Sequence, residues 1–166
     1  VPADHVIRPA EAFQAAVGRA VACVQAHPDA LVLFGVVPTA PATGFGYIHR
    51  GAEQSIEGNT VYQVQAFKEK PDLLTAARYV ASDDYYWNCG IFVWRAETIL
   101  KMLAEYEPEI ATRCGRLRKV IGTQQWDTAL AEEFPAMPSI SIDYAVLEKT
   151  QNVFVFCTLP PTALAP

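Results

Sequence analysis

The sequence is poor in positive charge. Its 13 Lys and Arg residues stand against 18 Asp and Glu residues, which gives a formal net charge of −5 and a pI near 5.1. A protein that binds a nucleic-acid backbone needs a clustered basic surface. The only candidate cluster has the spacing of a solvated helix face: Arg113, Arg116, Arg118 and Lys119. We therefore predict no nucleic-acid partner.

Two other classes of feature are missing. No apolar run approaches the roughly twenty residues that a membrane-spanning helix needs, and from the opening residues we expect no secretory signal. The four cysteines lie far apart without a Cys-x-x-Cys pair or a nearby histidine, which argues against zinc and a disulfide framework. We expect reduced thiols, with Cys23 and Cys89 packed as small hydrophobic side chains, in a cytoplasmic protein without a membrane partner.

Helix and strand patterns alternate at the start of the chain. Residues 11–26 carry apolar side chains at the spacing of an amphipathic helix, and residues 31–37 form an apolar run typical of a strand covered on both faces. Together they make a βαβ unit if upstream residues supply a first strand. Because Val1 is not a methionine, we expect a fragment: a partial domain at residues 1–157 and an irregular tail at 158–166.

The later elements follow from the same patterns. Strands are predicted at residues 47–50, 61–67, 91–94 and 153–156, with a polar turn at 51–59. A helix capped by Asp72 should carry Leu73, Leu74, Ala77 and Val80 along one face, and Ser141 is a possible cap for a short helix. Helices at 96–105, 108–120 and 123–134 follow one another without a strand, which indicates a subdomain or lid.

The stretch Val61-Tyr-Gln-Val-Gln-Ala-Phe-Lys-Glu-Lys-Pro71 predicts the main candidate site. Proline lacks the amide hydrogen that a strand needs, so the strand should end at Glu69 and Lys70. The carboxyl ends of strands are where open α/β sheets bind ligands. Glu69 can accept hydrogen bonds from sugar hydroxyls and Lys70 can bind a phosphate. The alternative is a solvated strand end.

Four further residues are candidates with an alternative beside each. Gly46, in a Gly-x-Gly pair, either exposes backbone to a ligand or marks a hairpin entry. Asn88 lies in an aromatic run and must receive hydrogen bonds from backbone or from a ligand. Asp4 either holds a divalent cation or caps a turn. Asp143 falls in a first helical turn, where a carboxylate is favoured whatever its task.

Five segments, in order, resemble the sugar-phosphate nucleotidyltransferases, and most closely their mannose-1-phosphate guanylyltransferase branch. They are Pro2-Ala-Asp-His5, Pro41-Ala-Thr-Gly-Phe-Gly-Tyr47, Phe67-Lys-Glu-Lys-Pro71, Trp87-Asn-Cys-Gly90 and Ile140-Ser-Ile-Asp-Tyr-Ala-Val-Leu-Glu-Lys149. Together they span residues 1 to about 150. The last segment is the most particular to the guanylyl branch.

The resemblance implies a Rossmann-like, three-layer α/β/α mixed sheet, incomplete at the N-terminus. It also implies that mannose 1-phosphate and GTP give GDP-mannose and pyrophosphate with Mg²⁺ as cofactor. By position, Asp4 is similar to the catalytic magnesium ligand and Lys70 to the catalytic, phosphate-binding ammonium. Gly46, Glu69 and Asn88 resemble sugar contacts, and Asp143 a further substrate-binding residue. Such chemistry needs charge neutralisation and alignment rather than a Ser or Cys nucleophile.

The chain departs from the family at both ends. The family's glycine-rich nucleotide loop and its C-terminal Trp-x-Asp-x-Gly-Ser-Trp-like segment have no counterpart here. We therefore expect a chain that carries the sugar-phosphate side of the site and does not turn over unaided. Two alternatives stay open. One is a non-catalytic truncated domain that self-associates as a homo-oligomer, and the other is a nucleotidyltransferase for glucose 1-phosphate.

Overall fold

The computed structural model describes residues 6–157 and 164–165, and these fall into two units. The first unit runs to Arg95 and resumes at Thr150. The second unit is Ala96–Lys149, and it contains the helical stretch that breaks the alternation of strands and helices in the sequence.

The first unit holds the strands and two of the helices. In chain order these are β1 (Val6–Ile7), α1 (Ala10–Ala26), β2 (Leu31–Val36), β3 (Tyr47–Ile56), β4 (Asn59–Lys68), α2 (Leu73–Ser82), β5 (Tyr85–Val93), β6 (Val153–Cys157) and β7 (Leu164–Ala165). The short strands β1 and β7 pair with each other. The predicted mixed α/β sheet is confirmed, since β2 pairs parallel with β6 and antiparallel with β5.

The main sheet closes on itself, which the sequence did not predict. Its strand order is β2-β5-β3-β4-β6, and β6 pairs again with β2. Closure depends on two residue pairs between β4 and β6, Tyr62 with Val155 and Gln63 with Phe154. The hairpin of β3 and β4 therefore bends round until its second strand meets β6.

Strand β2 lies at the centre of the core. All six of its residues are buried, as its continuous apolar run predicts. One core cluster combines small side chains of α1, including Ala16 and Ala20, with larger ones of the sheet, including Phe34 and Phe156. Alanines on the inner face of α1 allow the helix to lie close to the aromatic rings of the sheet.

The hairpin of β3 and β4 corrects the predicted turn at residues 51–59. Strand β3 continues to Ile56, and the turn consists of Glu57 and Gly58, which both have positive φ. Two positive φ values are typical of a tight hairpin turn. Strand β5 likewise begins at Tyr85, ahead of the predicted start at residue 91.

Helix α2 begins where the sequence predicts but buries a different face. The Asp72 carboxylate accepts a hydrogen bond from the Thr75 amide at 2.8 Å, and this bond lowers the pKa of Asp72. Leu73 and Leu74 are 62% and 64% exposed, whereas Ala76 is fully buried. The two leucines of the predicted apolar face are therefore exposed to solvent. The aromatic ring of Tyr79, which stacks on the sheet, decides the orientation instead.

The second unit is helical. It contains α3 (Ala96–Tyr106), α4 (Pro108–Val120), α5 (Trp126–Glu133) and a π-helix (Asp143–Leu147). Part of the predicted solvated basic face is ion-paired, since Arg113 and Arg116 of α4 both contact Glu133 of α5, at 2.9 and 3.0 Å. Helical backbone begins at Ile142, and the carbonyl of Ser141, the predicted possible cap, accepts a hydrogen bond from the Ala145 amide at 2.9 Å. None of the helices in the described residues has the length and apolar character that crossing a membrane requires.

Candidate functional site

Strand register brings three of the candidate residues together. Tyr47 at the start of β3 pairs with Lys68 of β4 on one side and with Trp87 of β5 on the other. Because both neighbours are antiparallel, the residue before Tyr47 lies beside the residues that follow Lys68 and Trp87. Gly46 is thus placed between Glu69 and Asn88. The backbone amide of Asn88 donates a hydrogen bond to the Gly46 carbonyl at 2.8 Å.

Gly46 leaves room for a carboxylate. A Cβ atom at this position would collide with Oε2 of Glu69, and it would lie 3.1 Å from Cζ of Phe67 and 3.4 Å from Cβ of Asn88. The absence of a side chain therefore lets the Glu69 carboxylate lie directly against the backbone of the neighbouring strand. Glycine is needed here for close approach.

Glu69 and Lys70 combine opposite charges with different exposure. The Lys70 ammonium lies 3.7 Å from Oε1 of Glu69, and the exposed side-chain fractions are 64% for Lys70 and 14% for Glu69. An ion pair with so exposed a cation contributes little to stability. Lys70 has a φ of 45°, in the left-handed region, and its amide donates to the Phe45 carbonyl at 3.3 Å. The turn therefore presents a cation to solvent beside a largely buried carboxylate.

Asn88 lies at an irregularity of β5. The register of its pairing with β2 shifts here, because Leu33 pairs with Phe92 whereas Gly35 pairs with Asn88. Gly90 lies within the shifted part of β5 and has a φ of 64°. The Asn88 Oδ1 atom accepts a hydrogen bond from the Gly90 amide at 3.1 Å. Backbone thus supplies one of the bonds that the sequence predicts for this side chain. Such bulges are frequent beside binding sites, where they reorient a side chain.

Comparison with known proteins identifies the family. The family model described as Nucleotidyl transferase matches residues 1–126. The chain belongs to the nucleotidyl transferase family. Its curated relatives include the xanthan biosynthesis protein XanB of Xanthomonas campestris, strain B100, which is 47% identical over 93% of the chain. The mannose-1-phosphate guanylyltransferase of Escherichia coli K12 is 43% identical over 92% of the chain.

This nucleotidyl transferase chain spans about a third of the length of those relatives, 32% in both cases. A solved structure with a similar fold is that of a protein described as a mannose-1-phosphate geranyltransferase, from Thermus thermophilus. It superimposes with a TM-score of 0.78 at 29% identity, covering 96% of this chain and 43% of that one. The mixed α/β fold with helices is thereby confirmed.

The predicted site residues of the nucleotidyl transferase chain divide into three groups. Gly46, Glu69, Lys70 and Asn88 come together in the first unit. Asp143 is the first residue of the π-helix in the second unit, and its role stays a prediction. Asp4 lies outside the described residues, so its predicted role as a metal ligand is untested.

Two residues at the site received no role from the sequence. Phe67 is 8% exposed and its ring borders the backbone of Gly46. Tyr47 is fully buried, and its hydroxyl donates to the Ala42 carbonyl at 2.9 Å. Both belong to the segments that carry the family resemblance. Their side chains look like ordinary strand residues in the sequence. Strand register brings Phe67 beside Gly46, and the fold directs the hydroxyl of Tyr47, the residue after Gly46, to the Ala42 carbonyl.

Within residues 6–157 and 164–165, no three His, Cys, Asp or Glu side chains form a group that could hold a metal ion. Glu69 by itself offers a single carboxylate. The described residues of the nucleotidyl transferase chain therefore hold no such cluster, and we derive no step of the reaction through a metal.

Thiol labelling will distinguish two classes of cysteine in this chain. Cys23 and Cys89 are buried, and burial raises the pKa of both thiols, that of Cys89 to about 12. Cys114 and Cys157 are exposed. We expect an aromatic disulfide reagent at pH 8 to modify two thiols in the folded chain and all four in denaturant. Rapid modification of four thiols without denaturant would contradict the described packing.

Proposed function

We propose that this chain carries the sugar-phosphate side of an enzyme that transfers GMP from GTP to mannose 1-phosphate, giving GDP-mannose and pyrophosphate. The proposal rests chiefly on one observation. Gly46, Glu69 and Asn88 meet at adjoining strands, with the exposed Lys70 ammonium beside them. The name of the E. coli relative, mannose-1-phosphate guanylyltransferase, supports the choice of substrates.

The residue types fit the two halves of a sugar phosphate. The Glu69 carboxylate is largely buried and can accept hydrogen bonds from sugar hydroxyls, which are charge-assisted and therefore strong. The Lys70 ammonium lies on the solvent side of that carboxylate and provides a point charge for the phosphate. Bare backbone at Gly46 permits a sugar ring to approach closely.

Such a site would act by alignment. A phosphate oxygen of the sugar phosphate attacks the α-phosphorus of GTP, the bond from that phosphorus to the β-phosphate bridge breaks, and pyrophosphate leaves. The nucleophile comes from the substrate, so no Ser or Cys nucleophile is required. Holding the sugar phosphate by its hydroxyls and its phosphate fixes the direction in which the attacking oxygen points. Lys70 offsets part of the repulsion between the two anionic reactants.

Three further assignments are part of the proposal. Mg²⁺, when bound, would neutralise phosphate charge, and Asp4 is the residue that we propose as its ligand. Asp143 is proposed to bind substrate. We also propose that the 166-residue chain does not turn over by itself, because the nucleotide loop of the family has no counterpart in it. Release of pyrophosphate by the purified chain from GTP and mannose 1-phosphate would refute this last assignment.

Calorimetric titration of the chain with two sugar phosphates tests the proposed function. Mannose 1-phosphate should bind, and glucose 1-phosphate should bind at least several-fold more weakly, because the two sugars place the 2-hydroxyl differently. Glu69→Gln keeps the size of the side chain but removes its charge, so it should weaken binding about tenfold, as expected for a hydrogen bond to a charged group. Equal affinity for the two sugars, or no binding of either, would refute the proposal.

A further inference from the structure

The segment at residues 38–46 leads into the site and has little packing of its own. Val37 ahead of it and Phe45 within it are 47% and 49% exposed. A Cβ atom built on Gly44 would meet no other atom within 4 Å. The segment also ends at Gly46, whose position decides where the Glu69 carboxylate can lie. The ring centroid of Phe45 lies 5.0 Å from that of Trp87, so the end of the segment has one aromatic contact, and hydrogen bonds supply the other contacts described below.

Three hydrogen bonds join carbonyl groups of this segment to donors outside it. The Lys70 amide donates to the Phe45 carbonyl at 3.3 Å, and the Asn88 amide donates to the Gly46 carbonyl at 2.8 Å. The third donor is a side chain, the hydroxyl of Tyr47, which lies 2.9 Å from the Ala42 carbonyl. The first two bonds fix the end of the segment, whereas the Tyr47 bond fixes its middle.

Tyr47 is itself held rigidly. Its side chain is fully buried, and its ring centroid lies 5.4 Å from that of Tyr79 on α2. The ring of Tyr79 in turn stacks on Tyr85 of β5 at 3.9 Å, and Tyr85 stacks on His49 of β3 at 4.5 Å. A column of four rings thus joins two strands and a helix. A hydroxyl at its end can order an exposed segment because the phenol has almost no freedom to move.

We propose that Tyr47 is a positioning residue for the sugar-phosphate site: its hydroxyl fixes the 38–46 segment so that Gly46 stays against Glu69 and Asn88. The inference rests on the proposed function, since it assigns the segment to the same site. Tyr47 touches no reacting atom in this scheme. It acts through the Ala42 carbonyl and the backbone that follows.

The test compares Tyr47→Phe with Tyr79→Phe in the full chain. Both variants lose one phenol hydroxyl and keep the ring column, but in the described part of the chain only the Tyr47 hydroxyl bonds to the segment. Hydrogen exchange measured by NMR should show faster exchange of the backbone amides of Lys70 and Asn88 in Tyr47→Phe but not in Tyr79→Phe. The exchange rates of the amides in β2 and β6 should stay the same in both variants. Calorimetry with mannose 1-phosphate should show about fivefold weaker binding, which corresponds to the net effect of one hydrogen bond.

The two measurements separate the possible failures. Unchanged exchange of the Lys70 and Asn88 amides in Tyr47→Phe overturns the inference, and so does faster exchange with unchanged affinity. A uniform rise in exchange that includes β2 and β6 also overturns it, because it indicates lost stability rather than lost positioning. If the unsubstituted chain binds no mannose 1-phosphate, the proposed function fails, and the exchange rates alone decide whether Tyr47 anchors the segment.

Discussion

Gly46→Ala is expected to raise the dissociation constant for mannose 1-phosphate at least about tenfold while leaving the chain folded. The added methyl group collides with Oε2 of Glu69 and lies 3.1 Å from Cζ of Phe67. The backbone need not move, because the Glu69 carboxylate is the end of a flexible side chain and can rotate away. The substitution therefore displaces the carboxylate that we propose as the sugar contact, and it weakens binding rather than folding. Calorimetry and thermal unfolding measure the two effects separately.

Gly44→Ala is the matched control for this experiment. It adds the same methyl group two residues earlier, where nothing lies within 4 Å and the φ angle imposes no strain. We expect its affinity to stay within about twofold of the unsubstituted chain, since surface substitutions of this kind change free energies little. Equal affinity of Gly46→Ala and Gly44→Ala would show that the position of Glu69 is irrelevant to binding.

Replacing Lys70 by asparagine should also weaken binding of mannose 1-phosphate by about tenfold, the usual effect of losing a charge-assisted hydrogen bond. The loss should shrink as salt is added, because the ammonium is 64% exposed and is screened by ions. The unfolding midpoint should stay the same or rise. Asparagine adopts the left-handed conformation of this residue, with its φ of 45°, more readily than lysine does.

The same substitution at Lys68 controls for net charge. Lys68 is exposed at the end of β4, two residues before Lys70, and Lys68→Asn removes one positive charge from the same region. A specific phosphate contact predicts a large effect at Lys70 and a small one at Lys68. Similar losses in both variants would indicate a general electrostatic attraction, and a lowered unfolding midpoint for Lys70→Asn would contradict the argument from backbone strain.

Local features of the sequence predicted the secondary-structure elements that border the site. Pro71 cannot continue a strand and Asp72 can cap a helix, so the sequence predicted both the end of β4 and the start of α2. The apolar run of β2 similarly predicted a buried strand. The approach of Glu69 to Gly46 followed from family resemblance alone, because the register of strands distant in sequence is set by tertiary pairing.

Other features could not be predicted because their cause is not local. Strand β3 beyond Arg50 consists largely of solvent-facing polar residues, and pairing with β4 rather than burial keeps it extended. Leu73 and Leu74 of α2 have apolar side chains but face solvent, since the stacking of Tyr79 on Tyr85 determines which side of the helix is covered. The closure of the sheet depends on two residue pairs between strands about ninety residues apart.

The route of the chain into and out of the second unit has a consequence for how its length can vary. Val93, at the end of β5, pairs with Val32, and Val153, at the start of β6, pairs with Leu31. The chain therefore leaves the first unit and comes back to it on opposite sides of one end of β2. These two points are roughly 10 Å apart, which is two strand spacings. The intervening helices can therefore be lengthened, shortened or exchanged by recombination at those two points, in evolution or in protein engineering. The hydrogen-bond ladders on either side of β2 keep their register when this happens.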